Sequence, residues 1–145
     1  MKNLMKKLLL IGVLLLALAG CGGGNNAYGY DGDSGVLFIS ERFFVNQMQE
    51  IFLNHTLYLG DTIQYEGMFR TMTMINGEEF FMVYRYFMGC CGEEVVGLEV
   101  DMSGFEPFDD HAWVEVRGVL DMDDDFLVVR VTTIRELAER GAEVV

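Results

Sequence analysis

Beyond Gly60 the apolar residues recur at every second position, and this period of two limits the chain to a mainly β fold. Ile63, Tyr65, Gly67 and Phe69 share one face of a first strand. Asn76-Gly77 then predicts a tight turn into a run from Phe80 to about Met88 that is apolar on both faces and therefore central. A third strand spans about Val95 to Asp101, entered through a Gly92-Glu93-Glu94 turn, and an irregular connection with the only proline, Pro107, follows it. Trp113 to Leu120 and Phe126 to Ile134 form a last hairpin across Asp121 to Asp125. Five strands split three and two predict a small OB-like Greek-key barrel, with Gly67 and Gly118 at mid-strand bends. A flat sheet covered by a helix is the competing architecture.

One helix precedes the strands. Phe44, Met48, Ile51 and Phe52 recur at helical spacing between about Ser40 and Leu53, with Ser40 as cap and the stripe facing the sheet.

The N-terminus reads differently. Lys2, Lys6 and Lys7 precede an apolar run of 12 residues, Leu8 to Ala19, which closes in Leu18-Ala19-Gly20-Cys21. A spanning helix needs about 20 residues, so the run reads as a signal-peptide core, with a short uncleaved helix as the alternative. The pattern resembles bacterial lipoprotein signals, which implies cleavage before Cys21, lipid on its sulfur, and a domain anchored on the extracytoplasmic face of the cell membrane. Residues 1–20 are then the signal, 21–35 a tether rich in glycine and asparagine, and 36–145 one compact domain.

All three lysines fall in the signal, so the remainder sets seven arginines against 23 acids, a formal charge of −16. Such a surface repels phosphate backbones and anionic headgroups, which argues against nucleic acid as partner. Phe80, Phe81, Tyr84, Tyr86 and Phe87, with no lysine around them, read as packed core rather than a base-stacking platform.

Arg85-Tyr86-Phe87-Met88-Gly89-Cys90-Cys91 is the most specific internal segment. Adjacent α-carbons lie about 3.8 Å apart, below the disulfide range, so Cys90 and Cys91 do not read as a structural staple. In a regular strand their thiols face opposite ways, and both meet one metal only if Gly89 and Gly92 break the strand. With His111, Asp109, Asp110, Glu93 or Glu94 as further ligands, such a pair suits zinc or another soft divalent metal. One packed and one exposed cysteine, or a thiol-redox pair, are the other readings. Arg85 alternates with Phe81, Val83 and Phe87, so it is expected half-buried against a carboxylate, with capture of an anionic ligand as the alternative.

Other motifs carry less. Asp121-Met122-Asp123-Asp124-Asp125 spaces its acids as calcium loops begin, yet Phe126 and Thr132 stand where an EF-hand needs glycine and glutamate, so it reads as a hairpin turn. His55 reads as a surface histidine. No nucleophile elbow, phosphate loop or His-Glu-x-x-His is present in the sequence, and the chain is not expected to be an enzyme.

The segment Tyr84 to Cys91, with Glu94, Val96-Gly97-Leu98, Trp113-Val114-Glu115-Val116-Arg117-Gly118 and Thr132 to Ile134, resembles the soluble C-terminal domain of a bacterial family of predicted two-component permease subunits. Asn54, Tyr58-Leu59-Gly60, Ile63 and Tyr65-Glu66-Gly67 extend the likeness, which runs from about Phe43 to Leu137. Arg85, Cys90 and Cys91 match its most recognisable residues; Glu94 stands in place of an aspartate, and Gly92 and Glu93 in place of small residues. The resemblance implies a binding or accessory module with a multi-spanning permease as partner, here carried on a lipid anchor. A metal-binding or thiol-redox lipoprotein centred on Cys90 and Cys91 is the second expectation, and a structural envelope domain the third.

Overall fold

The computed structural model describes residues 29–31 and 35–145. The expected signal and Cys21, with nearly all of the expected tether, lie outside the described residues.

Seven strands occur among the described residues. They are β1 (Tyr30–Asp31), β2 (Val36–Phe38), β3 (Thr62–Thr73), β4 (Glu79–Gly89), β5 (Gly92–Asp101), β6 (Trp113–Asp123) and β7 (Phe126–Glu136). The last five form the barrel expected from the period of two, in the order β3-β4-β5-β7-β6, closed by antiparallel pairing of β3 with β6. Only β5 and β7 run parallel within it, which is the Greek-key crossover through Pro107. The barrel, not the flat covered sheet, is the architecture. The two short strands β1 and β2 were absent from the periodicity; β2 runs parallel to the start of β3, pairing Val36 with Thr62.

The helix divides into a 3-10 turn, Glu41–Phe43, and α1, Phe44–Leu53. Phe44, Met48 and Ile51 are buried as the spacing requires, whereas Phe52 is exposed because three residues already fill the stripe. Ser40 does not cap the helix with its side chain; Gln47 Oε1 accepts from the Ser40 amide at 2.9 Å and hydroxyl at 3.3 Å. The helix side chains join Ile63, Tyr65, Phe69, Val83 and Leu98 in the main core. A smaller cluster of Met68, Tyr84 and Trp113 packs beside it.

Curvature splits one seam of this barrel. On one edge β3 pairs with β2 at residues 62–64 and with β4 at 68–73, which leaves Tyr65, Glu66 and Gly67 between them without a ladder partner on that edge. Buried backbone groups require partners, and the seam obtains them from a side chain and from the C-terminal segment. Arg85 Nε donates to Glu66 O at 2.8 Å. Beyond β7 the chain returns along β4, where Tyr86 N donates to Glu143 O at 2.8 Å and Val145 N to Tyr86 O at 2.9 Å.

Candidate functional site: a buried arginine and an exposed thiol tip

The two halves of the Arg85 to Cys91 segment occupy opposite environments. Arg85 is 2 % exposed, more deeply buried than half-burial predicted, at the base of a pocket that Glu41, Gln64, Tyr65, Glu66 and Glu115 also line. Its Nη1 donates to Glu41 Oε2 at 3.0 Å and to Ala142 O at 3.2 Å. The guanidinium lies between two rings, 5.0 Å from the centroid of Phe44 and 4.8 Å from that of Trp113. Its expected carboxylate partner is therefore Glu41, 44 residues upstream, a pairing for which the sequence carries no signal. The guanidinium is spent on its own chain and acts as a strut.

Glu41 Oε2 also accepts from Ala142 N at 2.8 Å. That amide first, and Arg85 second, hold the carboxyl below its ordinary value of 4.5. A depressed folded-state value stabilises the fold above the unfolded value, and the contribution is lost as pH falls through the folded one. Glu41→Gln should thus lower the urea midpoint most above about pH 5, with the two proteins converging on acidification toward pH 3. Parallel midpoint curves across that range would sink this assignment.

Cys90 and Cys91 sit outside the core. The β4–β5 ladder runs without a break to Gly89 paired with Gly92, so the two cysteines alone make the turn. The turn predicted at Gly92-Glu93-Glu94 begins two residues earlier, and Gly92 opens β5 instead. Gly92 takes φ +127, and neither cysteine has positive φ. Because the turn breaks the alternation, the opposite-face expectation does not apply: the sulfurs lie 3.5 Å apart. Both thiols are free and exposed, which corrects the reading of one packed cysteine beside an exposed one.

The other candidate ligands are elsewhere. Asp110 Oδ1 accepts from Thr71 N at 2.8 Å. His111 Nδ1 lies 3.2 Å from the Tyr84 hydroxyl, which burial and then Tyr86 push up to about 12. Tyr84 precedes Gly89, the last residue of β4, by five residues, about 17 Å of strand, which separates the His111 contact from the thiol tip. Asp109 stays with the same loop, where its carbonyl accepts from Ala112 N. Glu93 and Glu94 are exposed beside the tip, and the Glu94 carboxylate lies over Gly89. Among the described residues no three His, Cys, Asp or Glu side chains are placed to hold one metal ion.

The acidic turn is likewise engaged by its own chain. Arg130 Nη1 lies 2.9 Å from Asp101 and 3.6 Å from Asp123, and its Nε 3.2 Å from Asp121. His55 is half-buried, with Nδ1 3.3 Å from Phe52 O.

Strand order and closure define a small OB-like barrel. The chain belongs to the DUF1980 C-terminal domain family, whose model matches residues 26–141. No curated protein matches it. Among solved structures it is similar to the second OB-fold domain of replication protein A from Methanococcus maripaludis, at 14 % identity and TM-score 0.28, over 57 % of this chain and 88 % of that one.

Proposed function

We propose that this domain is a lipid-anchored accessory module on the extracytoplasmic face of the membrane, and that it meets a multi-spanning permease through the Cys90–Cys91 tip. The observation that supports this reading is the division of labour within one segment. Arg85 is consumed inside the barrel, while Cys90 and Cys91 are held out at the end of the β4–β5 hairpin. Met88, 68 % exposed, and Val95, 45 % exposed, flank the tip on its two strands. Free thiols beside uncovered apolar side chains suit contact with another surface better than they suit open water. The sequence adds a signal over residues 1–20, Cys21 as the lipid acceptor, and a tether long enough to let the barrel reach a membrane neighbour.

The test has two arms. Fatty-acid labelling in cells should mark the full chain and leave Cys21→Ser unlabelled and released from the membrane fraction. A photocrosslinker at Met88 should capture a multi-spanning membrane protein encoded beside this chain, and the same group at Glu106 should not. An unlabelled wild-type chain removes the anchor; equal capture from both positions removes the tip as the contact.

A second reading rests on the 3.5 Å sulfur separation: the same tip handles a soft metal such as zinc, or exchanges thiols.

A further inference from the structure

We infer that Cys90 and Cys91 form a half-open bidentate site for a thiophilic divalent cation of tetrahedral preference, with two coordination positions left for a recipient's ligands. The inference builds on the proposed role of the tip as the contact element.

Geometry selects the ion class. Zinc lies about 2.3 Å from a thiolate sulfur, so two sulfurs 3.5 Å apart subtend about 100° at a shared ion, near the tetrahedral angle. A linear two-coordinate ion would need sulfurs roughly 4.6 Å apart at that bond length, more than the turn provides. A disulfide would need them at about 2.05 Å, with α-carbons closer than such bonds accept. The existing separation thus suits chelation without rebuilding the turn.

Coordination then stays incomplete on this chain. His111 and Asp110 are committed near Tyr84 and Thr71, and no third described ligand reaches the tip. Structural zinc sites close with four protein ligands; sites that do chemistry or exchange leave positions open. A second copy is a poor source of the missing pair, because each copy brings a formal charge of −16 beyond residue 20 and its own exposed Glu93 and Glu94 to the encounter. Those same acids favour a cation at the tip. Binding is a ligand exchange without electron transfer: two S–H bonds are lost, two metal–sulfur bonds form, and two protons leave. Release to a recipient follows as its ligands displace water from the open positions, the two metal–sulfur bonds break, and two protons return to the thiolates.

The test uses the full chain, reduced, with Co²⁺ and then Zn²⁺ as probes. Expected are one ion per chain, two protons released per ion, and a thiolate-to-cobalt charge-transfer band. X-ray absorption of the zinc form should count two sulfurs and two lighter neighbours. Cys90→Ser and Cys91→Ser, both exposed, should keep the wild-type melting temperature and each weaken binding by about 100-fold or more, since even outer-shell changes cost 10- to 100-fold. Four sulfurs per ion with two chains, unchanged affinity in either variant, or no binding at all would overturn the site. Binding without capture of a membrane partner would overturn the permease reading alone; capture without binding would overturn only the site.

Discussion

Arg85→Met should lower the stability of the domain by about 3 kcal/mol, seen as a fall in the urea midpoint with the denaturant slope unchanged. Methionine fills much of the vacated volume, so the loss is chiefly polar. Glu66 O and Ala142 O, both part-buried, would each lose a donor, and a buried acceptor left without one costs about 1–3 kcal/mol at most. The contacts with Phe44 and Trp113 add about 1 kcal/mol. Glu41 moderates the total, because its side chain is 51 % exposed and returns to water when its partner goes. Against a typical total of about 5–15 kcal/mol the change is large. Arg85→Lys keeps the charge but not the three directed bonds, and should recover less than half of the loss. The damage should also be local: hydrogen exchange at Tyr86 N, which bonds to Glu143 O, should accelerate ahead of global unfolding. A change below about 1 kcal/mol, or unaltered exchange at Tyr86, would mean that the seam closes without its strut.

This arginine also marks how far the sequence could be read. Strand periodicity located all five barrel strands, and β4 does lie between β3 and β5. The three-plus-two split gave the Greek-key order because connection lengths restrict which strands can pair. Four of the five expected core aromatics followed, Phe81 and Phe87 packing on the main cluster and Tyr84 and Tyr86 in the smaller one, whereas Phe80 belongs to neither and lines a surface pocket. What remained hidden depends on partners distant in sequence. Val36–Phe38 is too short to show a period and becomes a strand only because β3 offers it an edge. Glu41 meets Arg85 across 44 residues, and the segment around Ala142 reaches it from the other end. Arg85 was legible as a buried charge in need of a carboxylate, but which carboxylate is a property of the closed barrel. For the thiols the error was one of register. A two-residue shift of the turn moved both cysteines out of the strand, where alternation no longer governs them. The flanking glycines were the available signal, and Gly92 at φ +127 is the residue that makes the shift possible.

Gly97→Ala should be at least as damaging, at about 3 kcal/mol or more, although it adds a single methyl group. Gly97 of β5 pairs with Tyr84 of β4. A methyl group built there would collide with the carbonyl oxygen of Val83 and lie 2.6 Å from Tyr84 Cα. Both obstacles are backbone or nearly so, and neither can swing away as the end of a long side chain would. Relief requires the strands to separate, which would break ladder bonds and shift Tyr84 and Leu98, one from each hydrophobic cluster. Gly104→Ala supplies the contrast. Gly104 has φ +88 but nothing within 4 Å of its added methyl, so its cost is conformational only, about 1 kcal/mol. Thermal melts of the two variants beside wild type separate close approach from backbone preference. The expected result is a drop of well over 10 °C for Gly97→Ala and a few degrees for Gly104→Ala. Equal drops would show that β4 and β5 spread without penalty, and the curvature that presents Cys90 and Cys91 would then not depend on glycine at 97.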